Sequence, residues 1–259
     1  MKKNEQDNIK VYTADSIIKK QDGSLFLKIE LNNHAFELPL KNVGTNEQPE
    51  YIAIVDPKNP EIKQHGAEVI SAFLQTLQIS LVLSAPSLKA EEMIKQANTN
   101  AQINKEPIFF IGGSINKEEG KYIYSREEVI KIASVGNQKV WIEECRPITL
   151  APNEPSKFFA INESMLRKII SAIKSGQKLA LVDDVYSSGA TVKALKKLLE
   201  KALLESNIEM PNIPIVVIAR EALETQAIFE NQELLEKYNE ALNLYASILI
   251  PVILEIPKE

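Results

Sequence analysis

Two adjacent carboxylates, Asp183 and Asp184, follow the apolar run at residues 178–182 and precede a short loop of small residues. Open α/β sheets bind ligands at the carboxyl ends of their strands, where we expect this pair to lie. Carboxylates there can accept hydrogen bonds from a pair of ribose hydroxyls, directly or through Mg²⁺, which prefers oxygen ligands. The pair is therefore the first candidate for a functional site.

The loop after the acidic pair is rich in hydroxyl-bearing and small residues and leads into an amphipathic helix at 191–204. Successive backbone N–H groups and hydroxyls can surround a phosphate, and the positive end of the helix adds to the attraction. Glycine allows the backbone to approach a ligand without a Cβ in the way. The predicted phosphate loop consists of Ser187, Ser188, Gly189, Ala190 and Thr191.

Two other interpretations compete with a phosphate site. The acidic pair can be a helix-capping turn that the small residues merely make tight, and acidic pairs also follow strands in phospho-acceptor receiver domains. A receiver needs acids on separate strands and a lone lysine on a later strand, which this sequence does not place. About eleven positions in order, from the apolar strand to the helix, favour the phosphate site.

Strand and helix patterns alternate from about residue 61 to 204, which predicts an α/β fold with a doubly wound, mostly parallel sheet and helices on both faces. Residues 112–138 are polar and are expected to form a loop with a short helix at 126–133. The expected strands of the core are 81–83, 107–111, 140–142, 158–161, 178–182, 213–219 and 247–254. The expected longer helices are 61–77, 90–97, 164–173, 191–204 and 224–242.

The N-terminal part has a different pattern. Residues 24–40 alternate apolar and polar side chains on both sides of Asn32 and Asn33, which predicts a β-hairpin because asparagine tolerates positive φ. Residues 51–55 indicate one further strand. We therefore expect a small β-rich lobe at 1–55 and an α/β core at 56–259.

Composition narrows the class of protein. A net charge of -5 and a pI of about 5.4 disfavour a nucleic-acid partner. Cys145 is the single cysteine and cannot form an internal disulfide. His34 and His65 are far apart in the sequence, and no Cys/His spacing suits zinc, so neither a zinc site nor a His-centred hydrolase is expected. No apolar run reaches the roughly 18 residues that span a bilayer. A soluble cytoplasmic protein without a membrane partner is predicted.

The segment LALVDDVYSSGATV resembles the motif that binds 5-phosphoribosyl-1-pyrophosphate (PRPP) in type I phosphoribosyltransferases. The order of elements from about residue 61 to 255 is similar to the adenine and xanthine branch of that family. The resemblance implies that Asp183 and Asp184 are catalytic, hold the ribose hydroxyls and contact Mg²⁺ indirectly, through ribose or water. It also implies that Val185 and Tyr186 join residues 187–191 in binding PRPP.

A second family feature, the pyrophosphate loop, has a counterpart after the strand at 81–83. Its residues would be Pro86, Ser87, Leu88, Lys89 and Ala90, in which Lys89 matches the basic position. Ser87 and Ala90 depart from the family pattern, where an acid and a glycine are usual. A plain strand–turn–helix is the alternative for this segment.

The next strand departs from the family at its end. Members commonly place an Arg or Lys pair there, whereas this chain has Gly112 and Gly113. Charge from Lys117, Lys121 or Arg126 in the following loop is one alternative. Residues 113–138 would correspond to a mobile flap or to an ordinary surface insertion, and residues 10–50 to a hood over the second substrate. The aromatic and cationic candidates near the site are Trp141, Arg146 and Tyr186.

The resemblance implies Mg²⁺-dependent transfer of the phosphoribosyl group from PRPP to a nitrogenous, purine-type base, with release of pyrophosphate. It also implies a role in nucleotide salvage and a homodimer. Two alternatives stay open from the sequence. One is a regulatory protein that binds PRPP or a nucleotide on this fold without catalysis, and the other is an interaction module with a vestigial site.

Overall fold

The computed structural model describes residues 10–42, 50–87, 89–112, 114–117, 120–123, 125–146, 156–222 and 239–251. A central sheet contains seven strands, and every pairing described in it is parallel. Its strands are β1 (Lys10–Val11), β6 (Leu81–Ser84), β7 (Ile108–Phe109), β13 (Leu179–Val182), β14 (Val185–Tyr186), β15 (Ile215–Ala222) and β16 (Leu244–Pro251). Their order is β1-β16-β15-β13-β6-β7, with β14 also paired to β15.

Helices cover both faces of this sheet, as predicted for a doubly wound fold. The α-helices are α1 (Pro60–Thr76), α2 (Glu91–Asn100), α3 (Arg126–Ala133), α4 (Glu163–Lys174) and α5 (Ala190–Leu204). Alternate residues of β13 point to opposite sides: Leu179 and Leu181 join an apolar cluster with α4 and α5, whereas Ala180 and Val182 join one with α1 and α2. No described helix is long and apolar enough to cross a bilayer.

The N-terminal hairpin forms as the sequence predicts. Strands β2 (Ile17–Lys19), β3 (Leu25–Leu31), β4 (His34–Asn42) and β5 (Tyr51–Ala53) make a four-stranded antiparallel sheet. Asn32 and Asn33 form the tight turn with φ of 50° and 63°. Leu27 and Leu38 of this sheet share the apolar cluster of α1 and α2. The boundary at residue 55 stays a prediction.

Residues 107–138 differ from the predicted strand and loop. The expected strand at 107–111 divides at Phe110: β7 pairs with β6, whereas β8 (Ile111–Gly112) pairs antiparallel with β12 (Lys157–Asn162). The polar segment contains a hairpin as well as the predicted short helix α3. The hairpin strands are β9 (Ser114–Lys117) and β10 (Gly120–Ile123). These two segments are short and mostly polar, so their sequence lacks the apolar alternation that identifies a strand.

A third sheet lies against α5. Strands β11 (Val140–Cys145) and β12 pair antiparallel, and β8 adds to β12. These two long strands confirm the predictions at 140–142 and 158–161. The expected helix at 224–242 lies mostly outside the described residues, as does the end of the expected strand at 247–254.

The order of strands sets the place of a ligand site. The chain passes from β6 outward to β7, then returns to β13 on the other side of β6 and continues to β15 and β16. The direction of winding therefore changes between β6 and β13. In open α/β sheets the crevice for ligands lies outside the carboxyl ends of the strands at this switch point.

The position of α2 depends on a close helix contact at Gly66. A Cβ at this residue would lie 2.5 Å from Ile218 Cδ1 and 2.9 Å from Met93 Sδ of α2. We expect Gly66→Val to lower the free energy of unfolding by about 1–3 kcal/mol, because overpacking forces the helices apart. Urea denaturation would measure the change. Gln64→Val on the exposed side of α1 is the matched control, and equal losses in both variants would contradict this account.

Candidate active site

The two motifs found in the sequence meet at the switch point. Asp183 and Asp184 follow β13, and the segment 86–90 follows the adjacent strand β6. Lys89 lies close enough to Asp184 for its charge to lower the pKa of that carboxyl. Segments almost a hundred residues apart in the chain thus lie side by side at the switch point, where a crevice for ligands is expected.

Burial raises the free energy of ionising the two carboxyl groups of the acidic pair. Burial, with the neighbouring charge of Asp184, raises the pKa of Asp183 well above its ordinary value, and burial raises the pKa of Asp184. The backbone holds both side chains: Asp183 Oδ1 accepts the Asp184 N–H at 3.0 Å, and Asp184 Oδ1 accepts the Val185 N–H at 2.9 Å. A cation or a ligand with hydroxyl donors would relieve this cost.

The helix-capping interpretation of the pair is wrong. Helix α5 begins at Ala190 with Gly189 as its N-cap, and no side chain caps it there. The carboxylates accept N–H groups of residues 184 and 185 instead. The acidic pair therefore lies at the end of β13, apart from the start of the helix.

The N-terminus of α5 differs from those of the other described α-helices. Asn59, Ser125 and Asn162 cap α1, α3 and α4 with side-chain oxygens, and α1 to α4 all carry an acid in the first turn. Helix α5 alone among the five has neither a side-chain cap nor a first-turn acid. Its first-turn N–H groups and positive helix end are therefore suited to an external anion.

Gly189 is required by the packing of the loop. It has φ of 70°, and a Cβ there would overlap the hydroxyl of Tyr186. The Tyr186 side chain is only 6% exposed and belongs to the apolar core beneath the loop. Ser188 Oγ accepts the Ala190 N–H at 3.3 Å. The tyrosine thus supports the shape of the phosphate loop from below.

The predicted pyrophosphate loop is partly described. Ser87 Oγ accepts the Ala90 N–H at 3.2 Å, and Ala90 is fully buried. Lys89 Nζ lies 3.9 Å from Asp56 Oδ1 and is about one-third exposed. Leu88 and Gly113 lie outside the described residues. Lys89 is therefore held at the rim of the crevice between two carboxylates, Asp56 and Asp184.

Two charged residues that the sequence did not indicate interact electrostatically with the acidic pair. The Glu221 carboxylate accepts a hydrogen bond from the Ser187 hydroxyl, and its pKa is raised by burial and by the charge of Asp184. Burial raises the pKa of Asp183, and the charge of Lys157, at the start of β12, offsets part of that rise. A charged residue at the carboxyl end of β15 was a usable signal for Glu221. Nothing local identifies Lys157.

Two candidates named from the sequence have other surroundings. Trp141 is 6% exposed and belongs to the core, where Lys139 Nζ lies 5.0 Å from its ring centroid. Arg146 is mostly exposed and forms an ion pair with Glu144 at 3.1 Å. Neither residue is brought to the acidic pair by the contacts of the described residues.

Comparisons with known proteins give short local matches. No family model matches the chain. It is 50% identical over 40 residues to an adenine phosphoribosyltransferase of Thermosipho africanus, covering 15% of this chain and 24% of that protein. It is 39% identical over 54 residues to the adenine phosphoribosyltransferase of Mesomycoplasma hyopneumoniae strain 7448, covering 20% and 32%. The chain therefore matches about a quarter to a third of the length of these relatives.

Among solved structures, an adenine phosphoribosyltransferase of Giardia lamblia complexed with 9-deazaadenine aligns with 86% of this chain and 93% of its own. Its sequence identity is 14% and the TM-score is 0.41. The local sequence matches are to the same branch of proteins that the motif at 181–191 resembles. The parallel sheet with helices on both faces confirms the predicted fold class.

The raised pKa of Asp183 predicts a pH-dependent gain in stability for Asp183→Asn. An acid whose pKa is raised by folding destabilises the folded state increasingly as pH rises above its unfolded value, here 3.8. We expect Asp183→Asn to be more stable than the wild type at pH 7 by about 0.5–2 kcal/mol. The difference should vanish below about pH 3.8, where both states of the wild type are protonated.

Urea denaturation of both proteins between pH 3 and 8 would measure this difference. The difference between the two proteins removes the contribution of other acids, such as Glu68, whose pKa is lowered. Asp15→Asn, which changes an exposed acid, is the control. A difference in unfolding free energy that is the same at every pH, or a less stable variant at pH 7, would contradict a raised pKa of Asp183.

Proposed function

We propose that this chain transfers the phosphoribosyl group of PRPP to a purine-type base and releases pyrophosphate. The observation that carries the proposal is the pairing of two features at one switch point. An uncapped, acid-free helix N-terminus begins six residues after a half-buried acidic pair. This arrangement suits a ligand that has a phosphate at one end and ribose hydroxyls a few ångströms away.

Each part of the site has a role in this reaction. The loop 187–191 binds the 5′-phosphate and uses that remote binding energy to orient the reacting carbon. Asp183 and Asp184 accept hydrogen bonds from the ribose hydroxyls and offset the positive charge that builds on the ring in glycosyl transfer. The proposed chemistry needs no covalent nucleophile.

The donor set of the acidic pair also fits Mg²⁺. The ion takes oxygen ligands, commonly one or two carboxylates together with substrate phosphates and water. Asp183 and Asp184 supply carboxylate oxygens at the place where the hydroxyls and pyrophosphate would lie. When bound, the ion would neutralise charge on the pyrophosphate.

The proposal also covers the acceptor base, the oligomeric state and the metabolic role of the protein. The matched relatives are named adenine phosphoribosyltransferases, which supports a purine-type acceptor here. On the same basis we propose a homodimer that acts in purine salvage in the cytoplasm. The role of residues 113–138 as a flap stays a prediction, as does that of residues 10–50 as a hood.

A regulatory protein that binds PRPP without catalysis is the second candidate. The observation that favours it is Gly112, where a family member would carry a cation. This glycine has φ of 105°, and a Cβ there would overlap the Phe158 carbonyl oxygen. No side chain can replace it without moving β12. A vestigial interaction module is the third candidate.

Calorimetric titration of Mg²⁺ and PRPP into the protein would separate these candidates. Purine and pyrimidine bases would then be added while pyrophosphate release is followed. Binding with release in the presence of one base supports the transferase. Binding without release with any base supports the regulatory protein, and the absence of PRPP binding would contradict both.

We expect Asp184→Asn to weaken PRPP binding by about 10- to 100-fold, as loss of a charge-assisted hydrogen bond does. Stability should not fall, because the amide oxygen can still accept the Val185 N–H. It should rise at pH 7, as in Asp183→Asn, because burial raises the pKa of Asp184 as well. Calorimetry and urea denaturation measure the two effects. Asp15→Asn controls for the change in net charge. An unchanged PRPP affinity would show that Asp184 does not hold the ribose.

A further inference from the structure

Strand β12 directs Lys157 toward the central sheet. Phe159 and Ile161 belong to the apolar cluster of β13 and α5, whereas Phe158 and Ala160 face α3. Alternate residues of a strand share a face, so Lys157 lies on the side of Phe159 and Ile161. Because β12 runs antiparallel to β8, Lys157 at the start of β12 lies toward the carboxyl end of β8, and its charge acts on Asp183.

The register of β12 and β8 places Lys157 near the end of β8, where Gly112 stands in place of the cation usual in the family. Phe159 pairs with Gly112 and Ala160 with Ile111. Continuing this antiparallel register places Lys157 opposite residue 114, just beyond the end of β8. The close approach of Phe158 to Gly112 brings the lysine to this place. Lys157 is therefore the residue next to Phe158, whose carbonyl oxygen excludes a side chain at residue 112.

The two carboxylates have cations on opposite faces of the sheet. Asp183 continues the side of Leu179 and Leu181, which faces α5 and β12, and the charge of Lys157 acts on it. Asp184 continues the side that faces α1 and α2, and the charge of Lys89 acts on it. An anion bound beside the acidic pair would thus have one lysine on each side.

We propose that Lys157 binds the pyrophosphate of PRPP together with Lys89, an inference that rests on the proposed function. In the transfer, the bond between ribose C1 and the pyrophosphate oxygen breaks and its electron pair leaves with pyrophosphate. The acceptor nitrogen forms the new bond to C1 and releases its proton to water. The Lys157 ammonium offsets the negative charge that grows on the leaving oxygen.

Calorimetry with three ligands tests this residue. Inorganic pyrophosphate, ribose 5-phosphate and PRPP, each with Mg²⁺, would be titrated into the wild type and Lys157→Gln. We expect the variant to bind pyrophosphate and PRPP about tenfold more weakly, as loss of one charged contact does. Ribose 5-phosphate should bind equally well. Lys157→Arg should retain affinity, and Lys168→Gln, on an exposed face of α4, should change nothing.

Several outcomes distinguish a failure of the Lys157 assignment from a failure of the proposed phosphoribosyl transfer. Unchanged pyrophosphate affinity in Lys157→Gln overturns the assignment, even if the wild type binds PRPP. Equal losses for ribose 5-phosphate and pyrophosphate also overturn it, because they indicate that Lys157 only positions Asp183. If the wild type binds pyrophosphate through Lys157 but does not bind PRPP, the proposed function fails and the anion contact stands.

A measurement on the wild type avoids dependence on the folding of a variant. Lysines would be acetylated briefly with and without pyrophosphate, and the extent at Lys157, Lys89 and Lys168 measured by mass spectrometry. With pyrophosphate at several times its Kd, we expect Lys157 and Lys89 to be protected at least about threefold, since protection equals one plus the ratio of the free pyrophosphate concentration to Kd. Lys168 should react equally in both samples. Loss of protection at Lys157 alone would overturn its assignment.

Discussion

The burial of two adjacent carboxylates at the end of β13 is the constraint on which the site depends. Like charges at this spacing repel, and burial adds to the cost of ionising them. The backbone nevertheless fixes their position, because the Asp183 N–H donates to the Val216 carbonyl at 3.1 Å and the Asp184 carbonyl accepts the Ile218 N–H at 3.0 Å. The surrounding sheet is thus stable enough to hold an arrangement that is unfavourable by itself.

The layers of the fold determine on which side of the sheet each charged group near this pair lies. Strand alternation separates Asp183 from Asp184, so that β12 places Lys157 on one face and the β6–α2 segment places Lys89 on the other. The positive N-terminus of α5 lies beyond the loop, and Glu221 holds the Ser187 hydroxyl. Two lysines and the start of α5 therefore surround the carboxylates at the strand ends. This arrangement suits a ligand with phosphates flanking a polyhydroxyl ring.

Local sequence patterns predicted most of the core and located one half of the candidate site. The strand, acidic pair, loop and helix at 178–204 are contiguous, so apolar runs and small residues identify them without knowledge of the fold. The same holds for the hairpin at Asn32 and Asn33. Glu221 and Lys157 depend on pairings between distant strands, and a single sequence does not give register. The hairpin β9–β10 has short, mostly polar strands, so its sequence carries no alternating pattern to predict it.

Gly112 shows why a missing motif residue is weak evidence for lost activity. In the sequence, Gly112 stands where family members carry a cation, and this absence favours a regulatory protein over an enzyme. In the structure, the same residue allows Phe158 to approach the backbone, and the charge of the adjacent Lys157 acts on Asp183. What a phosphate ligand requires is positive charge at a position in space, and more than one strand can supply it. The choice between catalysis and regulation therefore depends on where Lys157 directs its ammonium when PRPP is bound, and the missing cation at residue 112 does not decide it.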